Sequence, residues 1–239
     1  MSQIRMSNFQ TVPPVIKNLL IINVLVFFAQ TIFNKDSSFD IGPLLALHDI
    51  RSEYFRPHQL ITHMFMHGGF FHLLINMLIL WMFGSTLENV WGSKRFLIFY
   101  IVCGLGAAAL HLGVLYYELT PYINELRSLP PVGSGDAALE SYREGLTGAV
   151  NSATVGASGA VFGCLAAYAY LFPNNVLYIY GILPIKAKWF VLIYAGFELF
   201  AGIRNTAGDN VAHWAHLGGA LVGFLLVVYW NRTNRQRFH

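Results

Sequence analysis

Charge is what this chain has least of. Asp, Glu, Lys and Arg make up 11% of its 239 residues, against roughly 25% in a typical soluble domain. Cysteine is nearly absent: Cys103 and Cys164 are the two present, both inside apolar stretches. They can build neither a disulfide framework nor a CxxC metal site. There is no internal repeat and no low-complexity tract. The formal net charge of +3 speaks of topology, and no nucleic-acid partner is expected from it.

What is there is hydrophobic residue, 55% of the chain, gathered in long blocks with neither a strand nor a helix period. A helix that crosses a bilayer needs about 20 mostly apolar residues. Six blocks qualify as candidates, at residues 15–33, 70–87, 96–117, 155–172, 187–203 and 211–230. The expected fold class is an all-α polytopic membrane protein, a bundle of six transmembrane helices over residues 15–230. A short tail (1–14) precedes it and a basic tail (231–239) follows. The first block is no cleaved signal peptide. It is too long, is interrupted by Lys17, Asn18 and Asn23, and lacks a small-residue cleavage site.

Lys and Arg set the orientation. With both termini cytoplasmic, the inner segments hold nine of them against one acid, Glu88 at a helix end, while the outer segments hold six diluted by ten acids. A bacterial inner membrane is the expected location. Two outer loops are exceptional, 34–69 and 118–154. The inner link "ENVWGSKR" is short, so the second and third blocks should be antiparallel neighbours.

Ionisable side chains inside a bilayer face a cavity or a partner. Here the polar residues gather in three places. "THMFMHGGFFHLLINM" holds His63, His67, His72 and Asn76; "TVGASGAVFG" holds Ser158; "DNVAHWAHLGGALVG" holds His213 and His216. All lie at the outer ends of their helices and can converge on one outward-facing cavity.

From Ser158 to Pro173 there are about 15 residues, or roughly 22 Å of helix, short of a span. The helix should therefore begin at Ser158, below the outer surface, with irregular "NSATVGA" descending to it. A serine at such a helix start has an exposed Oγ beside free N–H groups, the geometry acyl transfer needs. Taken alone, "GASG" fits helix packing better, since Gly159 and Gly163 are a small-residue pair.

The last block shifts that balance. Ala212, His216, Gly219, Ala220 and Gly223 form one stripe of a helix, and His216 is its one functional group. If the stripe meets the small face of "GASGAVFG", imidazole and hydroxyl come within reach, as a general base and a nucleophile must. His213 lies roughly 60° off that stripe at about 100° per residue and ranks second as base; a structural or water-facing role suits it. His72 and Asn76, four apart on one face, can both aim N–H groups at an oxyanion, beside the Ser158 backbone N–H.

Two rivals are weighed. His63 and His67 are also four apart, but a third ligand from His72 would have to reach round the helix. Neither a metal nor a cofactor is expected, and these two histidines are read as structural, hydrogen-bonded to the outer loop. A transporter would need ionisable groups through the full membrane depth, whereas only His111 continues the pathway. No acid stands out as a third catalytic group. Glu88 is at the inner end of its helix and Glu198 is deep in the fifth block; both are read as making structural hydrogen bonds or ion pairs, Glu88 with Lys94 or Arg95 as ion-pair candidates. The reading is a Ser158–His216 dyad, its imidazole oriented by packing.

Together these residues resemble the rhomboid family of intramembrane serine proteases. "GASG", "AHLGGALVG" and "HGGFFHLLINM" carry the resemblance in the family's order, over about residues 15–230. It implies Ser158 as nucleophile, His216 as base, His72 and Asn76 as oxyanion donors, and His63 and His67 as structural. It also implies a partly membrane-embedded hairpin in loop 34–69 and a mobile fifth helix beside which substrate enters. The substrates implied are single-span or polytopic membrane proteins, entering laterally from the lipid bilayer and cut near the outer face. Two positions depart from the family pattern. Phe162 stands where many members have Tyr, and His58–Gln59 stand where many have Trp-Arg. A catalytically inactive relative that escorts membrane proteins is the alternative, and the presence of both Ser158 and His216 argues against it.

Overall fold

The structure, a computed structural model, describes residues 10–33, 40–131, 136–179, 182–204 and 212–234. Most of the expected tails 1–14 and 231–239 lies outside the described residues. So do 34–39 of the first outer loop, 132–135 of the second, and the first residue of the sixth block.

The apolar blocks are helices. Pro14–Phe33 (α1) opens on a proline, whose missing N–H costs nothing at a helix start. The second block is one rod made of α4 (Phe70–Ile79), a wide turn at Leu80–Gly84, and α5 (Ser85–Trp91). α6 (Ser93–Ser128), α8 (Ser158–Leu171), α9 (Ala187–Arg204) and α10 (His213–Asn234) complete the set. Among the described residues, four helices are long and apolar enough to cross a membrane: Pro14–Phe33, Phe70–Trp91, Ser93–Ser128 and His213–Thr233. α8 is apolar but only 14 residues long. The outer surface is as greasy as the interior, with Leu25, Phe28, Phe71, Leu192, Ile193 and Phe200 all exposed. A water-soluble monomer does not present such a belt. The protein is an integral membrane protein.

α6 differs from its apolar block. Its 36 residues make a rod of about 54 Å, well beyond the ~30 Å hydrocarbon core. The second outer loop is thus largely helical: the end of α6 is followed by α7 (Ala137–Val150), whose first turn is capped by Asp136 accepting from the Ala138 and Leu139 N–H groups. This outer structure buttresses the first loop, which carries α2 (Gly42–Leu45), β1 (Leu47–His48) and α3 (Gln59–Thr62). Arg51 pairs with Asp49 at 2.7 Å, donates to Thr120 Oγ1 and lies over the Tyr116 ring. Ser52 donates to the Asn151 side chain, and β1 pairs antiparallel with β2 (Ala153–Thr154). A second small hairpin, β3 (Val176–Ile179) with β4 (Leu183–Lys186), separates α8 from α9.

Gln59 explains how the loop is held without the family's Trp-Arg pair. Its buried amide donates to the carbonyls of Pro43 and Tyr54, and the His58 ring contacts the Leu44 carbonyl at 2.7 Å. At the opposite end, Glu88 takes the hydrogen-bonding alternative and not an ion pair with Lys94 or Arg95. Its carboxylate accepts the Val15 and Ile16 N–H groups and the Ser93 hydroxyl, capping α1. Helix-start amides need an acceptor, and a buried carboxylate needs donors; each supplies the other. The main core, built on Phe96, Phe99, Tyr100, Cys103, Leu80 and Val161, lies where α4, α6 and α8 meet.

α8 and α10 touch backbone to backbone. A Cβ on Gly219 would sit 1.8 Å from the Gly159 carbonyl oxygen, and one on Gly223 would sit 2.7 Å from Gly163 Cα. The two small faces that the sequence set opposite each other do meet.

Candidate active site

That close crossing brings two side chains together. α8 begins at Ser158, and α10 carries His216 one turn before Gly219. The Ser158 hydroxyl donates to His216 Nε2 at 2.8 Å. The Phe162 ring, one turn along α8, lies flat on the imidazole, with centroids 4.3 Å apart and planes within 6°. Phe162 therefore keeps the packing role without a hydroxyl.

The segment between β2 and the serine passes through Gly156, whose φ of +137° few residues other than glycine adopt. Its N–H donates to the His63 carbonyl. A Cβ here would lie 3.1 Å from His72 Nε2 and 3.3 Å from Ser158 Oγ. Gly156 thus keeps open the space between these two groups. His72 Nδ1 accepts the Gly68 N–H, so the ring proton sits on Nε2, the nitrogen beside that space. Asn76 is buried and donates one Nδ2 hydrogen to the His72 carbonyl at 2.9 Å; an amide has a second to give.

His63 and His67 lie behind this layer. The His63 Nδ1–H donates to the Gln59 carbonyl, and burial lowers its pKa. The His67 backbone is bracketed by the Gln30 amide of α1, and its ring meets His72 edge-on at 5.1 Å. Burial, and then the neighbouring His72, push the His67 pKa down to about 4, against a smaller raising effect from the Phe65 carbonyl. His63 is thus bonded to the loop, while the His67 ring is held by its packing on His72. His111 joins them through the Thr154 hydroxyl at 2.7 Å.

One expectation is overturned. An acid does reach the imidazole: Glu198, from α9, places Oε2 2.8 Å from His216 Nδ1 and 2.6 Å from His213 Nδ1. All three residues are buried, and the contact to this carboxylate gives His213 the structural place expected of it. Depth in a block says nothing about which face an acid takes, and that is why the sequence reading missed it. The available signal was chemical: Glu198 is the one carboxylate in the middle of an apolar block, and such groups have partners.

Among the described residues, Glu198, His213 and His216 are also the one cluster with metal-ligating atoms close together, all within 4.8 Å. The 2.6 and 2.8 Å separations are those of N–H···O⁻ bonds. Two ligands of a tetrahedral ion at about 2.1 Å would stand farther apart, at roughly 3.4 Å. A cavity of about 370 Å³, lined in part by Glu118, Tyr122, Thr154, His213 and Trp214, opens beside this cluster under the α6–α7 arch.

Fold and site define a helical integral membrane protein with a hydrogen-bonded serine and histidine on two tightly crossed helices. Comparison with known proteins gives the family. A match described as "Rhomboid domain" covers residues 53–232. Among relatives, the chain is 28% identical over 225 residues to "RHOMBOID-like protein 12, mitochondrial" of Arabidopsis thaliana, covering 94% of this chain and 60% of that protein. It is 26% identical over 166 residues to "Rhomboid protease GluP" of Bacillus subtilis, covering 70% and 24%. It is 26% identical over 225 residues to "Rhomboid protease AarA" of Providencia stuartii, covering 88% and 70%. The chain belongs to the rhomboid family. It spans less than two thirds of the first of these relatives, and about a quarter of GluP. The names include mitochondrial as well as bacterial proteins, so the expected bacterial inner membrane finds no support in them.

Proposed function

We propose that this protein is an intramembrane serine endopeptidase that cuts transmembrane-helix substrates near the outer membrane face. The observation that carries the reading is the 2.8 Å contact between the Ser158 hydroxyl and His216 Nε2, in a family that includes proteins named proteases.

The chemistry follows from the atoms in place. His216 Nε2 takes the hydroxyl proton as Ser158 Oγ attacks the scissile carbonyl carbon. The carbonyl oxygen becomes an oxyanion, and His72 Nε2–H, the second Asn76 N–H and the Ser158 backbone N–H are the donors assigned to it. Removing one such donor typically costs 10²–10³ in rate. The proton then passes from His216 to the departing amine nitrogen as the C–N bond breaks, leaving an acyl-serine that water hydrolyses. Six membrane-crossing segments, with both termini on the inner side, put the serine at the outer end of the bundle. A substrate helix entering from the lipid has to expose its backbone there, so locally unwound, small-residue sequence is the substrate class. The lipid bilayer itself is the other partner.

The test is covalent labelling of the purified, detergent-solubilised protein with a fluorophosphonate probe. Wild type should label, and Ser158→Ala and His216→Ala should not. Equal labelling of all three would point to another nucleophile, and a folded but unlabelled wild type would leave the escort reading in place.

A further inference from the structure

Resting on that protease reading, we infer that Glu198 is a third member of the site, a positioning residue that selects the reactive form of His216. A neutral imidazole carries its proton on either nitrogen, and only the form with Nδ1–H leaves Nε2 free to accept from serine. The stacked Phe162 ring fixes the plane of the imidazole but, being hydrocarbon, cannot choose between its nitrogens. The Glu198 carboxylate can, because it accepts at 2.8 Å from Nδ1–H. When Nε2 takes the Ser158 proton, the ring becomes a cation facing that carboxylate. The proton later leaves to the amine nitrogen, and Glu198 takes none at any step.

The surroundings single this group out. His72 on α4, His111 on α6, Ser158 on α8, Tyr194 and Glu198 on α9, and His213 on α10 itself are the titratable groups around the ring. Among them Glu198 is the one acid able to be an anion opposite an imidazolium. His213 shares its Oε2 at 2.6 Å, with its ring nearly perpendicular to that of His216. It anchors the carboxylate from the second side and does not compete for the serine.

The experiment compares wild type, Glu198→Gln, Glu198→Asp and Ser158→Ala of the full chain in detergent. Fluorophosphonate labelling rates are measured across about pH 5–9, with thermal unfolding as the fold control. The Nδ1–H proton of His216 is followed by NMR in histidine-labelled protein. Glu198→Gln should slow the plateau rate by at least ~10²-fold, given what neutralising such an acid does elsewhere. It should also move the rising limb of the rate–pH curve to lower pH, because the ring cation has lost its counter-charge, and erase the far-downfield Nδ1–H signal. Glu198→Asp keeps the charge, so it should hold the limb and the signal near wild type and recover part of the rate; it also serves if the Gln variant fails to fold. Wild-type rate and limb in Glu198→Gln would overturn the inference, as would a slowed variant whose limb and signal stay in place. A folded wild type labelling no faster than Ser158→Ala would overturn the protease reading itself, and this inference with it.

Discussion

Gly219→Ala tests the core of the argument with one methyl group. Real Cβ atoms essentially never lie within 3.0 Å of a neighbour, and here the new one would start 1.8 Å from the Gly159 carbonyl oxygen. That oxygen belongs to helix backbone and cannot swing aside. α8 and α10 must therefore part by roughly 1.2 Å at this level. Ser158 precedes Gly159 and His216 lies one turn from Gly219, so the 2.8 Å hydroxyl–imidazole distance opens to about 4 Å, outside hydrogen-bond range. Overpacking of this kind costs typically 1–3 kcal/mol of stability. The loss of a positioned base costs about 10²–10⁴ in rate. The assay is the fluorophosphonate labelling rate beside thermal unfolding in the same detergent. Two controls grade the effect. Gly223→Ala meets Gly163 at 2.7 Å, farther from the serine, and should cost less; Gly113→Ala meets nothing within 4 Å and should be silent. A Gly219→Ala protein that labels at the wild-type rate would refute the claim that this crossing sets the serine–histidine distance.

Gly156→Ala combines a φ of +137° with a methyl between His72 Nε2 and Ser158 Oγ; labelling should fall at least ~10²-fold while the fold survives, and an unimpaired variant would remove Gly156 from the site. Glu88→Ala takes both acceptors from the first amides of α1 and should cost about 1–3 kcal/mol in unfolding measurements, with the labelling rate of the folded fraction unchanged. The pKa of His67, lowered from 6.5 to about 4, means the unfolded chain binds a proton that the native one refuses. Its stabilisation is present above pH 6.5 and is lost as pH falls from there toward about 4, on the order of 3 kcal/mol in total; a flat melting temperature across that window would contradict it. Finally, chelators should leave labelling unchanged, and a requirement for zinc would displace the serine mechanism.

Much of this was legible before any coordinates. Except at the far end of the third, the apolar blocks became helices within a few residues because membrane hydropathy is a strong, local signal: the start of the fourth block at Ser158 was read from its shortness alone. The stripe Gly219–Gly223 found its partner because small residues allow only a few kinds of contact. The α6–α7 arch was invisible, since "ELTPYINELRS" is polar and carries an internal proline. Gln59 gave no warning either, because one amide replaces an aromatic–arginine pair by bonding carbonyls that a sequence does not show. Glu198 escaped for a similar reason. Which face of α9 meets His216 is set by the rotation of a whole helix, and no spacing rule within one segment reports that.

The serine and histidine ride on one inseparable pair of helices, but the acid rides on a third. α9 turns Leu192, Ile193, Phe197, Phe200 and Ile203 outward and buries little beyond Ala187, Glu198 and Gly202. A hydrogen bond of 2.8 Å survives only about 0.7 Å of lengthening. In the proposed mechanism the carboxylate would therefore work as an interlock: a sub-ångström drift of α9 toward the lipid would disconnect it while Ser158 and His216 stay in register. On the proposed reading, anything that presses on that helix from the bilayer side would act on the rate without touching the nucleophile.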